Sequence, residues 1–274
     1  MGVMLKIDAS VVTSKGNIRS KNEDNFYLNG LYMKKSDDEN FCSYSLSNTD
    51  QQYIFAVCDG MGGEELGEEA SFTAVHALHE FHKSAFPDSL NISDLQELMD
   101  SYIEKSNTQI FEQSLALGKR MGTTLASIVF CQDKAMALNI GDSRVYLLHN
   151  LSLTKLTSDH TEAERLIRLG LINKNSEQFH KSKNILTRHL GVNPANGMME
   201  ADYSAEIKVS KGDIYLVCSD GLSNPLTDAE LKHCLSSSNE SAVICEKLVN
   251  LALSKDETDN VTALVVRIID IVYL

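Results

Sequence analysis

Residues 55–63 read FAVCDGMGG. An apolar run, Phe55 to Cys58, stops at the carboxylate of Asp59 and passes into glycine at 60, 62 and 63. Such a run, bounded by turn residues, reads as a short buried strand. The device returns at 215–221, YLVCSDG, and in a variant at 137–142, ALNIGD. A single Asp-Gly pair is ordinary turn chemistry, because Asp bonds its own backbone and Gly accepts positive φ. Three such endings in one chain ask for a shared purpose.

Working outward, short runs rich in β-branched and aromatic residues predict strands at 53–58, 124–130, 134–140, 143–148, 213–218 and 261–269. The runs 124–130 and 134–140 are separated by CQDK or part of it, which predicts a hairpin, and NIGDSR is a second tight turn. Helices are predicted where apolar residues share one face: 64–82 (Leu66, Ala70, Ala74, Ala77, Phe81), 94–117 and 240–254. Thr227-x-x-Glu230 is a capping box, and Thr161-x-x-Glu164 has the same form. Antiparallel strand signals with a few separated helices point to an α+β fold, two sheets with helices outside. Residues 34–50 are polar and aperiodic and read as a surface insertion; residues 160–190 read as a loop-rich flap.

The chain has 274 residues, 43% hydrophobic and 23% charged, enough for a sizeable core. Its 25 basic and 38 acidic residues leave a net charge of −13. With no cluster of Lys and Arg, neither nucleic acid nor an anionic membrane is an expected partner. None of the six cysteines is spaced as C-x-x-C, so zinc-ribbon and thioredoxin readings fail, and reduced thiols in a cytoplasmic protein are expected. The N-terminal residues carry no signal-peptide pattern, and Lys6 stands where a myristoylation signal wants Ser or Thr. The apolar tail 261–274 is too short and too charged to span a bilayer.

Asp24, Asp59, Asp142, Asp220 and Asp259 all stand at predicted strand margins, and Glu23 adds a sixth acid. Carboxylates gathered at one end of two sheets repel one another and demand a cation. No His or Cys accompanies them at ligand spacing, so the donors are oxygen and the ion is hard, Mg²⁺ or Mn²⁺. Gly60 has no side chain, so its carbonyl can approach a metal beside Asp59. Two ions bridged by one carboxylate can hold a hydroxide for in-line attack on phosphorus. The glycines at 60–63 form no P-loop, and no serine sits in G-x-S-x-G.

In order along the chain, RSKNEDN (19–25), VCDGMGGEELGEEAS (57–71), MGTTL (121–125), NIGDSRVYLL (139–148), LTSDHT (156–161), LTRHLG (186–191), CSDGLSN (218–224) and DNVT (259–262) resemble the motifs of the protein phosphatase 2C family, in its compact bacterial form. The resemblance runs from about residue 10 to residue 268. It implies a single catalytic domain over 1–274, a four-layer αββα sandwich with a metal centre in the cleft at one end. It implies hydrolysis of phosphoserine and phosphothreonine on proteins, with a partner Ser/Thr kinase. Small phosphate esters, or silent binding of phosphoproteins, are the alternative functions. Asp59 would bridge two Mg²⁺ or Mn²⁺ ions, and Gly60 would lend its carbonyl to one of them. Asp220 and Asp259 would ligate the other. Glu23 and Asp24 would act through bound waters, Arg19 would hold the phosphate, and Asp142 would serve a third, weaker ion. Two departures stand out. Met61 replaces a histidine that animal members carry for the leaving alcohol, and Asn224 replaces an aspartate that some relatives give the third ion. His160 and His189, near the flap, are expected to be structural or surface residues.

Overall fold

The computed structural model describes residues 2–35, 41–62, 66–85, 91–255 and 258–274. In chain order the elements are β1 (Val3–Ser14), β2 (Asp24–Leu28), β3 (Cys42–Asp50), β4 (Gln52–Gly62), α1 (Leu66–Ala85) and α2 (Ile92–Leu117). Then follow β5 (Met121–Thr123), β6 (Leu125–Cys131), β7 (Lys134–Ile140), β8 (Arg144–His149), β9 (Ser152–Lys155), α3 (Glu162–Arg168) and α4 (Glu177–Ser182). The last part holds β10 (Asp202–Tyr203), β11 (Ile207–Lys208), β12 (Ile214–Cys218), α5 (Asp220–Ser223), α6 (Asp228–Leu235), α7 (Ser241–Leu253) and β13 (Val261–Tyr273).

Among the described residues the strands form two sheets, in the orders β3-β1-β13-β12-β8-β9 and β10-β7-β6-β4-β2. Every pairing is antiparallel, with β6 and β7 joined as the expected hairpin. The reason Phe55–Cys58 is apolar throughout lies in the layers. Phe55 and Val57 face the core between the sheets, with Val11, Phe130, Tyr215 and Leu264. Ile54, Ala56 and Cys58 face the opposite way, onto Ala70, Ala74 and Leu78 of α1 and Met99 and Ile103 of α2. A strand covered on both faces loses the alternation of a half-exposed one. The other sheet repeats this: Leu216, Ala263 and Val265 pack under Leu231 of α6 and Ile244 and Leu248 of α7. The result is the four-layer α+β arrangement.

Three expectations are corrected. Residues 34–50 are not simply an insertion. Residues 36–40 lie outside the described ones, but Cys42–Asp50 is an edge strand paired with β1. Residues 3–14 form a long strand that was not foreseen, although Leu5, Ile7, Ala9 and Val11 alternate inward. The run through Asp59 does not end there: β4 continues to Gly62 and exchanges its neighbour β6 for β5. Residues 64 and 65, the start of one predicted helix, and Gly63 of the glycine cluster lie outside the described residues.

Candidate metal centre

The ends of both sheets open on a cavity of about 300 Å³. Arg19, Glu23, Asp59, Gly60, Met61, Asp142, Asp220 and Asp259 line it. Every sequence-predicted site residue except Asp24 therefore reaches one wall. A larger cavity of about 400 Å³ lies alongside and shares Asp142, but most of its wall comes from β8, α4 and their surroundings, not from the convergent acids.

Each acid is set by its local backbone. Asp59 sits where β4 changes partner: its N–H donates to Thr124 Oγ1 at 2.9 Å, and its carbonyl accepts from the Thr124 N–H and the Thr123 hydroxyl, both at 2.9 Å. Thr124 Oγ1 also lies 2.7 Å from Ser143 Oγ, which ties the Asp59 strand to the residue after Asp142. Gly60 is pressed between backbones. A Cβ there would lie 2.1 Å from the Gly67 carbonyl oxygen at the start of α1, so only glycine fits. Glu23 is held by Asn260, whose Oδ1 accepts the Glu23 N–H at 2.8 Å while its amide donates to the carbonyls of Lys15 and Lys21. Asp220 opens α5 and accepts from Asn224 Nδ2 at 3.1 Å. Asp259 precedes β13 and accepts from Arg19 Nη2 at 2.8 Å.

Asp24 is the exception. It faces Asp59 in the β2–β4 register but is buried and absent from the cavity wall. The hydroxyls of Ser219 and Thr262 both donate to its Oδ2 at 2.7 Å, and its Oδ1 has no hydrogen-bond partner. From there it ties together the elements that carry Asp220 and Asp259. Burial displaced it: a carboxylate at the first position of a strand can face either the cleft or the core, and here two core hydroxyls claim it.

The electrostatics are those of crowded acids. Burial first, then the charges of Asp24, Asp220, Asp142 and Asp259, hold the Asp59 carboxyl well above the usual carboxylate range. Burial and then Asp220 push Asp142 up to about 8, and burial pushes Asp24 up to about 7 against its two hydroxyl donors. Among the described residues no three His, Cys, Asp or Glu side chains close on a point as they stand. The donor set still fits a hard divalent cation. It is all oxygen, it is short of positive charge, and Gly60 lines the same wall.

The protein phosphatase 2C family model matches residues 36–248. The chain belongs to the protein phosphatase 2C family. Among relatives of this phosphatase family, a serine/threonine phosphatase stp of Listeria innocua is 34% identical over 257 residues, 93% of each chain. A serine/threonine phosphatase structure from S. agalactiae superposes with a TM-score of 0.81 at 26% identity, over 96% of this chain and 99% of that one. The catalytic domain of PstP in complex with two manganese ions does so with a TM-score of 0.76 at 29% identity, over 97% and 100%.

The acids were found by sequence reasoning; their supports were not. Thr123, Thr124, Ser143, Ser219, Asn260 and Thr262 all stand inside the motifs MGTTL, NIGDSR, CSDGLSN and DNVT. Asking which neighbours could donate to or accept from the acids' backbone would have flagged them. His160 is buried as expected of a structural residue, whereas His189 packs against Gly122 away from the cavity wall.

Proposed function

We infer that this chain removes phosphate from phosphoserine and phosphothreonine side chains of proteins in a metal-dependent reaction. The observation that carries this is the convergence of Glu23, Asp59, Asp142, Asp220 and Asp259 with Arg19 on one cavity of a phosphatase-family chain. The two manganese ions of the PstP structure support a two-ion centre.

In this reading Asp59 would be shared by the two ions, the Gly60 carbonyl would serve one of them, and Asp220 and Asp259 would serve the other. Glu23 and Asp24 would act through bound waters, and Asp142 would belong to a third, weaker position. Mg²⁺ and Mn²⁺ both suit this donor set. The ions, when bound, supply Lewis acidity toward the phosphate and make water a competent nucleophile at neutral pH. Arg19 orients the phosphate, because a planar guanidinium can donate to two of its oxygens. Met61 brings no proton to the leaving alcohol.

Residues 1–274 then act as one catalytic unit, with the segment about 160–190 as a flap beside the cavity. The physiological setting that fits is the reversal of Ser/Thr kinase signalling by a cognate kinase, in a bacterial cytoplasm. None of the six cysteines is disulfide-bonded, which suits a reducing compartment. Among the described residues no helix is long and apolar enough to cross a membrane.

The test is phosphate release from a phosphothreonine peptide, with Mn²⁺ or with chelator, for the wild type and Asp59→Asn. Release is expected only with metal, and Asp59→Asn should lose about 10³-fold or more in kcat while staying folded, as when a principal electrostatic stabiliser is removed. Full activity in chelator, or a near wild-type mutant, would refute the reading.

A further inference from the structure

Asp142 sits in the link between β7 of one sheet and β8 of the other, and that link is held largely by a distant segment. The residue before it, Gly141, has φ +104°, and a Cβ there would lie 2.6 Å from Thr124 Cγ2. Both peptide groups of Gly141 bond to one residue of a distant segment. The His160 N–H donates to the Gly141 carbonyl at 2.8 Å, and the Gly141 N–H donates to His160 Nδ1 at 3.1 Å. Flanking bonds follow the same path: Asn139 Nδ2 donates to the Ser158 carbonyl at 2.7 Å, and Arg144 pairs with Asp159 at 2.7 Å.

A ring nitrogen that accepts a backbone N–H carries no proton, so His160 is held as the neutral tautomer with its proton on Nε2. That Nε2 lies 3.1 Å from Asp202 Oδ2, off the line of a hydrogen bond. His160 also forms the root of the 160–190 segment. Its carbonyl accepts the Thr187 N–H at 2.8 Å, and the next residue, Thr161, bridges to Leu186. It is 2% exposed.

We infer that His160 is a positioning residue for Asp142. Its neutral Nδ1 holds the Gly141 amide, and through it the attitude of the Asp142 carboxylate at the cavity wall. A buried histidine that only filled space would need no acceptor at this position. Here the loss of Nδ1 leaves the Gly141 N–H without its partner in a turn whose φ and close packing on Thr124 allow little relaxation. The inference rests on the metal-dependent reading above, since Asp142 matters only if the cavity takes cations.

Three variants separate the acceptor from the bulk of the ring. His160→Asn places an amide oxygen where Nδ1 stood. His160→Gln reaches toward the Nε2 position instead, and His160→Leu removes both. Mn²⁺ binding is followed by titration calorimetry, and activity on a phosphothreonine peptide is followed against Mn²⁺ concentration, with thermal melts to confirm folding. His160→Leu and His160→Gln should weaken the weakest Mn²⁺ site about 10-fold or more, as for other groups that orient metal ligands. His160→Asn should stay within about twofold of wild type. In an Asp142→Asn background, His160→Gln should change nothing further. A folded His160→Leu with wild-type Mn²⁺ binding overturns the inference, and so does equal behaviour of the Asn and Gln variants, which also decides the matter if the Leu variant does not fold. A wild type that binds no Mn²⁺ and needs none sinks the metal-dependent reading itself, and this inference with it.

Discussion

Arg19 shows how one residue's surroundings set its use. Its Nη2 lies 2.8 Å from Asp259 and its Nη1 3.7 Å from Glu23, with the side chain 46% exposed. An exposed pair of this kind is worth about 0–1 kcal/mol of stability, so stability does not explain its place. In the proposed reading its place beside the cavity acids does, because cations that claimed the carboxylates would leave the guanidinium available to phosphate. A group that holds phosphate equally in ground and transition states contributes uniform binding. Arg19→Ala is therefore expected to raise KM for a phosphopeptide more than it lowers kcat, and Arg19→Lys to recover part of the loss, since an ammonium keeps charge without the bidentate fork. Steady-state kinetics at saturating Mn²⁺ check this; an unchanged kcat/KM for the alanine variant would move the phosphate elsewhere. At this scale the chain was largely legible. Asp59, Asp220 and Asp259 betray themselves by ending apolar runs or opening a following one. Asp24 looked the same yet turned inward, because its partners Ser219 and Thr262 are 195 and 238 residues away in sequence.

Elements were legible where one face decided them and obscure where pairing did. The helices over 94–117 and 240–254 appear as Ile92–Leu117 and Ser241–Leu253, because their apolar stripes are periodic. The end of β4 was misjudged because glycine in a strand resembles a turn, and only β5 across from it supplies the hydrogen bonds. The 160–190 segment contains two short helices, capped by Thr161 and Ser176, which its polar composition hid. The link between β8 and the root of that segment carries the second prediction. Burial alone would raise the Asp159 carboxyl, but the charge and hydrogen bonds of Arg144, then Lys155, outweigh it and hold the group below the usual carboxylate range. A folded pKa below the unfolded one stabilises above the unfolded value, about 3.9, and that contribution is lost as pH falls through the folded pKa. Asp159→Asn leaves the half-buried Arg144 without its carboxylate partner and is expected to cost about 1–3 kcal/mol at pH 7. Urea denaturation of both proteins from pH 7 downward checks it. The gap should narrow below about pH 4, and a gap independent of pH would mean that packing, not charge, was lost.

For the whole molecule the crowded cavity is a standing cost. Asp24, Asp59 and Asp142 are all pushed up by burial first and then by neighbouring carboxylates, so a bound cation should stabilise the entire fold. At a free Mn²⁺ concentration of 100 times Kd the gain is about 2.7 kcal/mol for one site. At about 2–4 °C per kcal/mol for chains somewhat shorter than this one, Tm should rise by about 5–10 °C over that in chelator. Calorimetry measures it, and equal melting temperatures with and without metal would contradict a carboxylate metal centre. By itself the chain determined six of the strands, the long helices, the α+β class and the identity of most of the acids, because apolar periodicity and the abrupt Asp-Gly endings are local properties. Only the tertiary structure decided which acids share a wall, that Asp24 stands behind it, that β1 and β3 complete a sheet, and that His160 holds the turn of Asp142. Those are matters of which surfaces meet, and residues far apart in sequence are brought together by the packing of two sheets, which leaves little mark in any single stretch.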